Sequence, residues 1–417
     1  MTNQAVIADR PVGYSWYALA VLTAVYVLNF LDRQVMYILF QPIKAEMGFT
    51  DLQLALLGST SFVFFYTLLG IPFGRLADRV SRKNMIAIGL ATWSLFSGLT
   101  GFANGFWSIF FCRLMVGVGE ATLGPAALSL LGDYFPLRMR GTVNAIYSSA
   151  IAIGGGLAFF LGGWIGQSYG WRAAFWFLGF PGLALAIVTF LLREQPRGVM
   201  ESTAKSSAKW SDLFRSRTLN LLFLGYALVG LASNNIAVWV TAFFIRVHHL
   251  TLVQIGTFAG VISLTVGVAG MVYAGVISDR LSRRLPGGRL ALTSIAALLC
   301  VPLWIALLFL NNLVALVVVN TLLYVLAILW VGPATADVTE IAGPNLRGLA
   351  IGIFFSIVNI AAYGIGSPII GKVSDALGVA TNPAQMRYAL LVCPAACLLG
   401  AMFLWMARRT RATTTSP

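Results

Sequence analysis

Twelve long, largely apolar stretches separated by short polar loops most narrow what this chain can become. They lie near residues 15–40, 52–73, 84–104, 106–132, 141–166, 172–193, 218–245, 253–277, 290–310, 313–340, 347–371 and 386–407. A helix needs about 20 apolar residues to cross the hydrocarbon layer, so twelve crossings would use roughly 240 residues and leave short connections. In lipid only helices and closed barrels satisfy every backbone polar group, and these runs lack the period-2 alternation of a barrel. At 59% hydrophobic, 10% charged and mean hydropathy +0.84, the composition is unsuited to a soluble domain. The expected fold is therefore all-α, with twelve transmembrane helices.

The chain repeats itself. Gly74-Arg75-Leu76-Ala77-Asp78-Arg79-Val80-Ser81-Arg82-Lys83 recurs in the second half as Gly275-Val276-Ile277-Ser278-Asp279-Arg280-Leu281-Ser282-Arg283-Arg284. Asp133 precedes Gly141 by eight residues, as Glu340 precedes Gly348, and Gly124-Pro125-Ala126 matches Gly332-Pro333-Ala334 with one residue of slippage. Between the copies, 194–217 is the one sustained polar interval, with Pro196, Gly198 and a Ser/Ala/Lys run. The expected division is a six-helix bundle over 1–193, a linker over 194–217 and a second six-helix bundle over 218–417. Pseudo-symmetric halves of this kind place a substrate site near the membrane midplane between them.

The net charge of +14 would suggest nucleic acid in a soluble protein, but its placement says otherwise. With both termini on one side, 21 of the 28 Lys and Arg fall on that side, 5 on the other and 2 within the membrane. This bias puts both termini in the cytoplasm of a multi-pass plasma (inner) membrane protein. The basic residues are scattered over many loops, which argues against a nucleic-acid surface. The N-terminus is polar for about fourteen residues before a full-length span, so no cleavable signal is expected. Cys112, Cys300, Cys393 and Cys397 all fall inside apolar runs, where packing is the expected role.

The pattern G-x-x-x-D-R-x-x-R-K over Gly74–Lys83 resembles the signature loop of the major facilitator superfamily, and every specified position matches. The resemblance implies a transporter with a gate on the side of the termini. The expected gate residues are Gly74, Asp78, Arg79, Arg82, Asp133, Asp279, Arg280 and Glu340. Gly74 would let helices 2 and 11 approach, Asp133 would pair with the Arg79 cluster, and Glu340 with the group around Arg280. Arg82 and Lys83 would stay hydrated. A purely topogenic reading explains the basic residues but neither acid, so the latch is preferred.

Four charges interrupt the apolar runs: Asp32 and Arg33 in helix 1, Arg113 and Glu120 in helix 4. Each costs at least ~2.5 kcal/mol at the bilayer centre, so each needs water or a partner. Arg113 and Glu120, seven apart, share a helix face, as do Asn29 and Asp32. A structural staple would be a costly choice, because desolvation offsets much of a buried pair's attraction. Function is the better reading: Asp32 or Glu120 as a proton-responsive acid that holds Arg113. Protonating either acid would release Arg113 to hold an anionic head group, linking the two occupancies.

Asn-Phe-Leu-Asp-Arg in helix 1 with Arg-x-x-x-Gly-x-Gly-Glu-Ala in helix 4 resembles the spinster branch of that superfamily, along nearly the whole chain. The short tails resemble bacterial members. The resemblance implies proton-coupled transport by alternating access, with an amphiphilic substrate of the lysolipid or sphingosine-1-phosphate kind. It also implies roles in proton coupling for Asp32 and Glu120, with Arg33 and Arg113 as their charge partners and binders of the substrate anion. Helix 5 reads Ala152-Ile153-Gly154-Gly155-Gly156-Leu157, without the Gly-Pro element of drug antiporters. The Asp-Arg pair also occurs in organic anion symporters, so a small-anion symporter is the alternative, as is a transporter-like sensor.

Asn29, Asn144, Tyr147, Asn235, Trp239, Tyr324 and Asn359 are expected to line the cavity, with interhelical hydrogen bonding as the plainer role for each. Asn234, Asn320 and Tyr363, at the same helical spacings, are further expected lining residues. An enzyme is not expected: the only histidines, His248 and His249, are adjacent, and no nucleophile–base cluster or metal-ligand set is apparent. No P-loop is present, so a proton gradient rather than a cofactor or ATP would supply the energy. The expected partners are a small amphiphile, protons and membrane lipid, with no nucleic acid, around a monomer.

Overall fold

The structure is a computed structural model describing residues 12–196, 210–285, 287–343 and 346–415, and every described element is helical. Most of the linker expected over 194–217 and the side chains of Asp279, Arg347 and Gly348 lie outside the described residues. Nine described helices are long and apolar enough to cross a membrane. One of them, Arg140–Phe190, breaks at Gly170, whose φ of 86° and ψ of 161° are non-helical, and so supplies two crossings. The helices are α1 (Val12–Ile38), α2 (51–77), α3 (Arg82–Thr100), α4 (Phe106–Tyr134), α5 (140–169), α6 (171–190), α7 (Arg217–His248), α8 (252–284), α9 (Gly288–Phe309), α10 (Leu313–Ala342), α11 (347–376) and α12 (Pro383–Arg411). They follow the expected runs, with ends shifted by a few residues.

The sequence repeat is visible in local geometry. The α-helical runs of α4 and α10 each break at the repeated Gly-Pro-Ala: Glu120 ends one segment before Leu123 opens the next, and Ile328 precedes Val331. Pro125 and Pro333 then sit in the first turn of the new segment, where a missing N–H costs little. Four helices carry π-helical turns, at Leu56–Thr60, Ile236–Val240, Ser263–Gly267 and Ile360–Gly366. Such turns rotate side chains off the 3.6-residue register and gather at functional sites. Here they carry Trp239, Ser263 and Tyr363.

Glycines set how closely helices from the two sequence repeats approach. A Cβ at Gly163 would lie 2.5 Å from the Leu252 carbonyl oxygen, and one at Gly260 would lie 3.0 Å from the Gly156 carbonyl oxygen. Gly256 likewise faces the Phe159 carbonyl, so α5 and α8 pack backbone against backbone.

The two ends of the molecule differ. At the end opposite the termini, Asp51, which opens α2, joins the short helix Phe40–Met47 to α7 and α11. It accepts from Lys44, from Arg246 through two nitrogens at 2.5 and 2.6 Å, and from Ser374. The Asp51 and Leu52 amides donate to the two carboxylate oxygens of Asp375 at 2.8 and 2.9 Å, so an acid on α11 caps the start of α2. A Cβ on Gly371 would meet the Asp51 carbonyl at 2.7 Å. This end is closed. At the terminal end, Cβ atoms on Gly70, Gly74 and Gly352 would meet nothing within 4 Å. Among the described residues, the close approach expected at Gly74 is therefore absent, and this end is less tightly packed than the end at Asp51.

The ion pairs at the terminal end also differ from expectation. Asp133 pairs with Arg82, not with Arg79, and Arg82 is buried rather than hydrated. Arg82 further donates to Glu194 at 2.9 Å, to the Gln195 carbonyl at 2.7 Å and to Ser129 at 3.0 Å. Glu340 pairs with Arg289 at 2.9 Å and with Arg411, whereas Arg280 is exposed. The repeat explains the outcome: Arg82 and Arg289 both stand at the start of the helix after the charged loop, facing an acid at the end of the next helix. These contacts tie α3 to α4 and α9 to α10 and α12, so they brace each half rather than latch the two together.

Burial alone would raise the Glu194 carboxyl, but the Lys83 amide, Arg82 and Ser81 donate to it and hold it below the ordinary glutamate value. Its contribution is then complete above the unfolded-state value and is lost as pH falls through the lower folded value. We expect Glu194→Gln to lower the melting temperature at neutral pH by an amount corresponding to ~1 kcal/mol or less. The difference from wild type should shrink on acidification. A difference that grew instead would contradict this role.

Candidate substrate and coupling site

The four intramembrane charges meet where α1, α3 and α4 pack together. All four are dry: Asp32 is 1% exposed, Arg33 8%, and Arg113 and Glu120 are fully buried. Arg33 donates to one oxygen of Glu120 through Nη2 at 2.7 Å and Nε at 3.2 Å, and to Asn29 at 3.3 Å. Its guanidinium lies 4.4 Å from the Phe62 ring centroid, 4.9 Å from Tyr66 and 5.0 Å from Phe30. The rings favour the cation through their electron-rich faces. Asp32 accepts from Ser97 at 2.6 Å.

The expected pairing of Arg113 with an acid is not what forms. Arg113 donates to the Asp32 backbone carbonyl at 3.2 Å, and its Nε and Nη2 have no hydrogen-bond partner. One oxygen of each acid, Asp32 Oδ2 and Glu120 Oε1, is also without a partner. Helical spacing puts Arg113 and Glu120 on one face, but only packing decides which base reaches Glu120, and the neighbouring helix supplies it. The cluster thus pairs two of its charges and leaves polar edges on the second base, Arg113, and on both acids. Unpaired buried groups are costly, and they concentrate where protons or ligands are handled.

Next to the cluster lies a cavity of about 200 Å³ between α1, α5, α7, α8, α10 and α11. Its walls are mostly apolar, with Phe30, Phe159, Phe244 and Phe258 among them. Polar groups enter at Gln34, Ser233, Asn234, Ser263, Asn320, Tyr324 and Tyr363. Phe30 belongs both to this wall and to the ring cage around Arg33. An apolar chamber with a few neutral polar groups, bordered by a charged cluster, suits a molecule with a chain and a head group.

Of the expected lining residues, Tyr324, Asn234, Asn320 and Tyr363 are in the wall, and Asn29, Asn144, Tyr147, Asn235, Trp239 and Asn359 are not. Asn29 belongs to the charge cluster through Arg33. Tyr147 is stacked on Tyr26 at 4.5 Å. Asn235 donates to the Ala362 carbonyl at 3.2 Å, and Trp239 donates to Ser367 at 3.1 Å, so both join α7 to α11. Asn144 is exposed and Asn359 half-buried. Of these residues Trp239 lies in a π-helical turn, at Ile236–Val240, as does the wall residue Tyr363 at Ile360–Gly366, where side chains leave the 3.6-residue register. Gln34 and Ser233 also line the wall without any mark in the sequence, because a lone Gln or Ser in an apolar helix carries no signal of what it faces.

Comparison with known proteins agrees with this architecture. The sequence profile described as Major Facilitator Superfamily matches residues 22–362. An MFS-type efflux pump of Mycolicibacterium smegmatis is 26% identical over 94% of this chain and 92% of its own length. Protein spinster homolog 1 of Homo sapiens is 32% identical over 56% of this chain, a stretch spanning 46% of the human protein. Among solved structures, a bacterial homolog to the human lysosomal transporter spinster, in an inward-facing and unoccupied conformation, superposes with a TM-score of 0.86. It is 24% identical, covering 98% of this chain and all of the other.

Proposed function

Because the chain belongs to the Major Facilitator Superfamily, and is thus a multi-pass membrane transporter and not an enzyme, we propose that it couples proton movement to transport of an amphiphilic anion. The substrate class is a lysolipid or sphingosine-1-phosphate type of molecule, and the cycle is alternating access. One observation carries the reading: Glu120 holds Arg33, and the ring cage of Arg33 shares Phe30 with the wall of the apolar cavity. Protonating Glu120 removes the charge that holds Arg33, and the guanidinium becomes available to an anionic head group whose chain occupies the cavity. Deprotonation reclaims Arg33 and releases the anion. Asp32, with one oxygen on Ser97 and the other free, is the second proton site, and Arg113 beside it is a second anchor for the anion. The likeness to spinster homologues supports the substrate class. The 1–193 and 218–417 halves would rock about this site within the plasma membrane, with both termini cytoplasmic, the proton gradient as energy source and the protein working as a monomer.

The test is flux in proteoliposomes under an imposed pH gradient, with lysolipids, sphingosine phosphates and small organic acids offered in parallel. Wild type should move the amphiphiles with the gradient. Asp32→Asn and Glu120→Gln should each lose pH-driven flux by tenfold or more while remaining folded. Unchanged pH-driven flux in both variants would end the coupling proposal. Movement of small carboxylates alone would replace the amphiphile with a small organic anion.

A further inference from the structure

On the outer face of the second half, away from the substrate cavity, a groove of about 560 Å³ runs between α9 and α12. Ile295 and Leu298 form one wall, and Leu398, Met402 and Trp405 the other, with Arg409 at the end nearer the C-terminus. Residues 398, 402, 405 and 409 are spaced by four, three and four, so they form one continuous helix face. The neighbouring Arg408 guanidinium lies 4.9 Å from the Trp405 ring centroid.

We propose that this groove is a binding site for an anionic phospholipid, with an acyl chain along the apolar walls and the phosphate on Arg409 and Arg408. The groove lies on two helices that cross the membrane, and its apolar length stops where the charges begin. The charge pattern sets the head-group class. At the same end, Arg289 and Arg411 are engaged by Glu340, and Arg411 also by Asp337. Arg408 and Arg409, by contrast, pair with no acid among the described residues. Two adjacent guanidinium groups without an acid are mismatched to a zwitterionic head group and complementary to a phosphodiester that carries net negative charge. Trp405, at the boundary between chain and head group, holds the position that indoles favour at membrane interfaces.

Trp405 makes the site measurable. The full-length protein is reconstituted in phosphatidylcholine bilayers containing increasing amounts of brominated phosphatidylglycerol or brominated phosphatidylcholine. The Trp405 signal is the fluorescence difference between wild type and Trp405→Phe. Half-quenching should need at least about fivefold less brominated phosphatidylglycerol than brominated phosphatidylcholine, the preference expected of one arginine near an anionic surface. The double variant Arg408→Gln/Arg409→Gln should remove the preference while Trp405 remains quenchable, which also reports that the groove is intact. Equal quenching by the two lipids in wild type would overturn the proposal, since the groove would then hold bulk lipid without selection. So would a preference that survives the double substitution. Absence of quenching by either lipid would mean that protein, such as a second copy, covers the groove, and would overturn it as well.

Discussion

Asp51→Asn should open the closed end of the molecule. In the structure this carboxylate is fully buried and accepts from Lys44 in the short helix Phe40–Met47, from Arg246 on α7 and from Ser374 on α11. Removing one member of a buried ion pair costs about 3–5 kcal/mol, because the remaining charge is left dry and unmatched. Here two cations would lose their anion at once. The contacts from Arg246 and Ser374 reach across from the second half and exist only while this end is closed, so that part of the cost falls on the closed state and not on its alternative. Moving a two-state equilibrium from 1:99 to 99:1 takes about 5.5 kcal/mol, so the expected shift is a large fraction of a full reversal. Spin-label distances between α1 and α7 at this end should lengthen, and distances between α2 and α11 at the terminal end should shorten. Transport should fall by tenfold or more, since a carrier held in one state turns over slowly. If the distances match those of wild type, Asp51 is not what closes this end.

Gly256→Ala should be nearly as damaging as a much larger substitution, although it adds a single methyl group. The new Cβ would point at the Phe159 carbonyl oxygen and at the Gly163 Cα 3.3 Å away, and both are backbone atoms of α5. No side-chain rotation relieves such a contact, so the helices must separate, and overpacking of this kind costs typically 1–3 kcal/mol. Gly155→Ala is the matched control, because its Cβ would meet only Ser263 Oγ at 3.5 Å. Melting of the purified protein in detergent should therefore fall by several degrees for Gly256→Ala and stay near wild type for Gly155→Ala. Transport by Gly256→Ala should drop sharply, because α5 and α8 join the two sequence repeats and must slide on each other. Equal melting of the two variants would mean that α5 and α8 do not need backbone contact.

Part of the site is legible in the sequence. Asp32, Arg33, Arg113 and Glu120 stand out because ionised groups in a long apolar run are expensive and need a reason. Their partners did not stand out. Glu120 sits seven residues from Arg113 on its own helix, yet Arg33, 87 residues away in sequence, holds it at 2.7 Å. Contacts between helices depend on rotation and depth, and a helical wheel carries neither. The same limit explains Arg82, which reads as a hydrated loop cation but begins α3 and is buried against Asp133 and Glu194. It explains the Asp51 cluster too, whose members Lys44 and Arg246 counted in sequence only as sparse charges on the opposite side.

What the sequence determined by itself is the solvent and the plan. Long apolar runs admit only helices in lipid, the duplicated charged loop and Gly-Pro-Ala breaks place corresponding bends in two repeats, and four isolated charges mark where function lies. These follow from local composition and spacing, which a linear chain displays in full. What only the tertiary structure decided is which charges meet, which end is closed and which polar residues face the cavity. Those depend on helices brought together from distant parts of the chain. There a π-helical turn or a glycine contact rotates a side chain from one neighbour to another without leaving a distinguishing mark in its own segment.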